Sequence, residues 1–189
     1  MKNRQKSLLG LTVLALAVMV GCGGSPEPRT DPDDPRANWP EWFLQENTED
    51  GVIVAQGTAT SRDAQFAMDK ASFAADGSLA EQVEARYENL TTQFREEIGT
   101  GADAQLLNKT TDAAQRAVKQ ALKKKAIRQQ DVVSEDGVWR GFVVSTLPEV
   151  AAKLALLGAI TEDEELYTRF RESQAFEKLE KELAEQFGG

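Results

Sequence analysis

The chain has few kinds of reactive group. Its 189 residues include 31 Asp and Glu, 22 Lys and Arg, one cysteine and no histidine. Without histidine there is no Ser-His-Asp or Cys-His nucleophile system and no imidazole-bound zinc. The lone Cys22 forms no intrachain disulfide and no thiolate cluster. Carboxylate chemistry remains, since two acids astride a bond can hydrolyse it when an apolar setting raises the pKa of one. The acids here fall in polar runs instead. Asp33 and Asp34 lie among prolines, Glu135 and Asp136 in a predicted turn, and Glu162, Asp163, Glu164 and Glu165 at a predicted helix start, where acids complement the helix dipole. No run has the alternating acids, central glycine and distal Glu of a calcium loop, and no glycine run carries the GK[ST] of a phosphate loop. No catalytic residue, metal site or cofactor is expected. The net charge of −9 speaks against nucleic acid, whose partners present a basic footprint.

The cysteine's position gives it a different chemistry. Lys2, Arg4 and Lys6 precede a 13-residue apolar run, Leu8 to Val20. That run is too short for a bilayer core, which takes about 20 helical residues. A basic start, a short apolar run and small residues make a secretory signal peptide over residues 1–21. Met19-Val20-Gly21-Cys22 resembles the bacterial lipobox, with Met where Leu is usual. The resemblance implies cleavage between Gly21 and Cys22 and acylation of Cys22, the membrane then being held through the N-terminal lipid. Two or three acyl chains anchor far more firmly than one. Gly23 stands where Asp would signal inner-membrane retention, so the outer membrane is expected. Loss of residues 1–21, with their three cations and no acid, leaves 168 residues at a charge of −12.

Elements must position whatever the chain does next. Five of six prolines lie between Pro26 and Pro40, so residues 22–38 read as a stiff, solvated tether. Trp39, Trp42 and Phe43 follow as a dense aromatic cluster. Two readings stay open for it: a cap over the core, or a patch for a membrane surface, partner or ligand. Gly51 to Thr60 is rich in β-branched residues and predicts a buried strand. Thr60-Ser61-Arg62-Asp63 predicts a helix start. The stripe Ala64, Ala67, Met68, Ala71, Ala74, Ala75, Leu79, Val83, Tyr87, Leu90 predicts a helix to about Glu97, close-packed on a sheet through its alanines and weakened at Gly77. Thr111-Asp112 predicts the cap of a second helix, with Lys119 and Lys123 to Lys125 complementing its C-terminal dipole. Ile127–Val133 and Val138–Leu147, joined through Asp136-Gly137, predict a hairpin. Both faces of its second strand are apolar, which suits a central strand. Pro148 predicts the next helix start, and Thr161 with Glu164 a capping box opening one charged helix to about Gln186. The order β-α-α-β-β-α-α predicts an α+β fold: a small, mainly antiparallel three-stranded sheet with packed helices and C-terminal helices. The expected division is a domain over 39–148 and a helical extension over 149–189.

The ordered set of these features resembles the LPP-twenty family of small bacterial outer-membrane lipoproteins. The matching residues are Pro40-Glu41-Trp42-Phe43 after the tether, the strand Val52 to Gly57, Asp69-Lys70-Ala71, Trp139 to Val144 with Leu147-Pro148, and the tail Leu166 to Phe176. The resemblance spans nearly all of residues 22–187. It implies a compact α+β domain, outer-membrane attachment and, for some members, rings around the flagellar motor. The leading expectation is therefore a non-enzymatic, lipid-anchored envelope protein acting as an assembly or scaffold subunit, its partner a second copy or another envelope protein. The alternative is a module that binds a small envelope ligand or peptidoglycan through Trp39, Trp42 and Phe43.

Overall fold

Small residues set the architecture. In the computed structural model, which describes residues 34, 36–45, 47–99 and 104–187, the longest helix, α2 (Ala64–Ile98), lies across a three-stranded antiparallel sheet. The strands are β1 (Val52–Ser61), β2 (Ala126–Glu135) and β3 (Val138–Pro148), in the order β1-β3-β2. Ala67, Ala71 and Ala75 of α2 have no exposed surface. They rest on Gly57 of β1 and Gly141 of β3. A Cβ added at Gly57 would lie 2.1 Å from the Ala71 carbonyl oxygen, and one at Gly141 would lie 2.6 Å from that of Ala67. Gly57 pairs with Val143, and Ala59 with Gly141, so both glycines belong to the face that meets the helix. Glycine is required here because backbone approaches backbone.

The register of four in the α2 stripe explains the rest of the layering. Ala67, Ala71, Ala75, Leu79, Val83 and Tyr87 are buried at intervals of four. Each interval overshoots a full turn by about 40°, so five of them swing the buried face through about 200°. The first half of α2 therefore faces the sheet and the second half faces other helices. Length demands the same: 35 residues rise about 52 Å, whereas the ten of β1 span about 33 Å. The overhang is covered by α3 (Ala104–Leu122), α4 (Glu149–Thr161), α5 (Glu164–Arg171) and α6 (Gln174–Phe187). One apolar cluster joins Ile53 and Leu147 of the sheet to Leu79, Phe94, Leu156, Phe170 and Leu179. The Tyr87 hydroxyl donates to the Ala152 carbonyl at 2.6 Å, tying α2 to α4.

The fold is α+β, as the element order predicts. The hairpin turn holds Asp136 at φ 46° and Gly137 at φ 83°, the two positive values that a type I′ turn needs. β3 is the central strand, and residues 141–145 are buried on both faces. Its outer neighbour β2 is exposed through its first six residues. There the register shifts between Ile127 and Gln129, and Arg128 forms an ion pair with Glu49. A bulge and a charge both discourage edge-to-edge pairing.

Three expectations are corrected. Helix α3 begins at Ala104 rather than at Thr111-Asp112; the Thr111 hydroxyl donates to the Leu107 carbonyl within the helix, and Leu106 and Thr110 are buried. The expected single C-terminal helix is two, broken at Glu172 and Ser173, because the Ser173 hydroxyl accepts from the Phe176 N–H and starts α6 anew. Asp163, not Thr161, caps α5 by accepting from the Leu166 N–H at 2.9 Å. Residues Asn38–Gly189 form one compact unit, and α4, α5 and α6 share its core. In the other unit, Met1–Ala37, the Arg36 side chain pairs with Asp34 at 3.2 Å.

Gly77 has open space around it, unlike Gly57. Gly77→Ala should raise stability by about 0.8–1 kcal/mol, and Gly57→Ala should lower it by about 3 kcal/mol because the helix backbone must move. Urea unfolding of the two variants measures both. Equal, small effects would contradict the close helix–sheet seat.

Candidate functional site

The aromatic cluster is the first candidate. One helical turn, α1 (Glu41–Leu44), follows Pro40 and lays its rings on the sheet face opposite α2. Phe43 packs edge-on against Phe142 of β3 with ring centroids 5.0 Å apart, and Trp39 does the same at 5.3 Å. Val54, Val133 and Val144 complete this cluster. Arg140 stacks over the Trp39 ring at 5.2 Å and pairs with Glu135 at 2.7 Å. The Gln56 side-chain amide donates to the Phe43 carbonyl, and that of Asn47 to the Trp42 carbonyl. Phe43 is buried, and Trp39 and Trp42 are half-buried. The structure thus brings the three predicted patch residues together as a lid on the second sheet face. Apolar atoms on both faces of β3 demand such a lid, since a bare face would leave Phe142 and Val144 in water.

Gly21 and Cys22 lie outside the described residues. Of the acids, Asp163 and Glu165 meet Lys109 of α3, at 3.1 and 2.6 Å. The hydrogen bond from the Leu166 N–H, and next that from Lys109, hold the Asp163 carboxyl below the usual carboxylate range. The hydrogen bonds to Glu165 and then Asp163 raise the Lys109 pKa. These ionised groups fasten the start of α5 to α3. Burial pushes the Tyr87 phenol pKa up, which keeps it a neutral donor to Ala152. Among the described residues no group of three or more Cys, Asp or Glu is placed to hold a metal ion, and no helix is long and apolar enough to cross a membrane.

The lysines near the end of α3 do more than complement its dipole. Lys125 turns to an ion pair with Asp76 of α2, whereas Lys119, Lys123 and Lys124 line a groove against α4. Sequence reasoning did not reach this groove, because its two walls are separate in the chain. The one available signal was Gly158, a helix-weakening residue in an otherwise apolar helix.

No protein-family model, no curated protein and no solved structure matches this chain.

The Asp163 cap has a pH signature. A depressed carboxyl stabilises fully above its unfolded pKa, about 3.9, and loses that effect as pH falls through the folded value. Asp163→Ala should lower Tm by a constant amount between about pH 5 and 8, and the gap should close below about pH 4. A gap unchanged at the lowest pH where the chain still folds would contradict the ionic cap.

Proposed function

We propose that the chain is a non-enzymatic lipoprotein, anchored to the outer membrane through acylated Cys22, whose folded unit serves as an assembly or scaffold subunit of the cell envelope. The observation that carries this reading is Gly21-Cys22 at the end of a short apolar run, followed by the proline-rich residues 23–38. The likeness to the LPP-twenty family, with its ring-forming flagellar members, points the same way. Trp39, Trp42 and Phe43 are taken up in covering the sheet, which favours the scaffold reading over ligand capture by these rings.

A scaffold needs a rigid contact face, and α2 offers one. Phe66 and Phe73 stand seven residues apart on the same side of the helix, 54% and 79% exposed. They lie away from the alanines that meet the sheet. Lys70 lies over the Phe66 ring at 4.7 Å. Phe66 and Phe73 are the large apolar side chains that α2 leaves exposed among the described residues, which makes this face the contact we propose. Helix α6 is the weaker contact candidate, because Ala175, Leu179 and Leu183 fold back on the unit and Phe187 alone stays exposed.

Two experiments test the reading. Cys22→Ala should abolish labelling by fatty-acid analogues and move the chain from membrane to soluble fractions; unchanged membrane association would contradict the anchor. Phe66→Ser with Phe73→Ser should leave Tm within a few degrees yet abolish cross-linked oligomers in envelopes. Oligomers that persist, or a wild-type chain that forms none, would contradict assembly through this face.

A further inference from the structure

Helix α4 carries a contradiction. Its sequence, EVAAKLALLGAIT, is apolar around its whole circumference apart from Glu149, Lys153 and the terminal Thr161, the pattern of a helix buried on all sides. Ala152, Leu156, Ala159 and Ile160 are indeed buried. Leu154 is 47% exposed, and Ala151 and Ala155 are partly exposed beside it. These residues form the floor of a groove of about 580 Å³ between α4 and α3, within the range of small-molecule sites.

The opposite wall is basic. Arg116, Lys119, Lys123 and Lys124 face this floor, and Glu162 is the only acid among the lining residues. At one end of the groove Arg116 donates to the Ala159 carbonyl at 3.2 Å and pairs with Glu162 at 3.3 Å. That end of the groove is therefore neutralised. At the other end, the Lys123 ammonium reaches only the Gln120 side chain, and the Lys119 and Lys124 side chains make no hydrogen bond or ion pair among the described residues. A chain of net charge −9 thus gathers unpaired cations at one end of an uncovered apolar trough. The α3 dipole accounts for cations near that terminus but not for the apolar floor. Gly158 matters too. It lines the groove, a Cβ there would meet nothing within 4 Å, and it weakens α4 relative to alanine. What the missing side chain provides is depth.

We propose that this groove binds a single-chain amphiphile with an anionic head, a monomeric long-chain carboxylate. Its acyl chain lies along Leu154, Ala155 and Gly158, and its head meets Lys119, Lys123 and Lys124. Concavity selects a monomer over a flat bilayer surface, and the charge selects an acid over a neutral alcohol. The inference is independent of the anchor and of the Phe66–Phe73 face.

The test uses the full chain in nanodiscs of zwitterionic phospholipid and a dodecanoate bearing a terminal diazirine. Irradiation should label the chain saturably, with the label found by mass spectrometry on peptides covering 116–124 and 151–162. Unlabelled dodecanoate should compete at least tenfold better than dodecanol. Gly158→Phe, which fills the groove and replaces a helix-weakening residue, should cut labelling at least tenfold with Tm held or raised. Lys119→Gln with Lys124→Gln, both at exposed positions, should cut it several-fold, and this pair decides the matter if Gly158→Phe unfolds the chain. Labelling spread over the surface, equal competition by dodecanol, or full labelling of the variants would overturn the proposal. So would zero-length cross-links between two copies through these lysines without dodecanoate labelling, which would assign the groove to a second copy.

Discussion

The close contact between helix α2 and the sheet governs the molecule. Where Ala67, Ala71 and Ala75 cross Gly57 and Gly141, no side chain separates helix backbone from strand backbone. Such a seat gains dispersion contacts from tightly fitted atoms but buries little apolar area, because alanine and glycine have little to bury. The larger residues must therefore act elsewhere. They do so at Val83, Tyr87, Leu90 and Phe94, after the winding stripe has turned away from the sheet. The seat fixes the helix position, and the overhang carries most of the large apolar side chains.

This division accounts for the two layers that flank the sheet. On one side the seat places α2 so near that β3 is covered by backbone and alanine, with Val143 fully buried. On the other side no long helix lies among the described residues, and a single turn with Trp39, Trp42 and Phe43 closes the face, Trp39 and Phe43 through edge-to-face contacts with Phe142. Edge-to-face rings add about 0.5–1.5 kcal/mol per pair beyond area burial, which suits so small a lid. The helical layer beyond the sheet is built on α2 as its axis. α4 enters it directly from β3 at Pro148, so its position against α3 follows from the strand register, and with it the basic groove.

The parts legible in the sequence were those whose signals are local. Asp136-Gly137 announces its own turn, Pro148 its helix start, and the alanine stripe its need for a flat partner. The start of α3 was hidden because Thr111-Asp112 imitates a cap inside the helix, although Asp103, a residue type that favours the N-cap, stands just before Ala104. The break before α6 was hidden because Ser173 sits in a run of good helix formers, and its capping role depends on α2: the Glu97 carboxylate accepts from the Gln174 N–H at 2.7 Å. Gly57 and Gly141 read as ordinary strand glycines, since only the helix above them gives them meaning. For the site, the aromatic residues were legible as a group but their use was not; it depends on the uncovered face of β3. The groove was illegible, having one wall from each of two distant helices.

The proposed function begins from the N-terminal segment. In the proposed function, lipid on Cys22 delivers the folded unit to a membrane, residues 23–38 tether it there, and its surfaces then meet a neighbour. The most direct measurement is the intact mass of the mature chain, with mapping of its first peptide, taken from bacterial envelopes. The account predicts a chain that begins at Cys22 and carries a diacylglycerol, with or without a further acyl group. A chain that retains residues 1–21, or one that begins elsewhere or bears an unmodified cysteine, would contradict it.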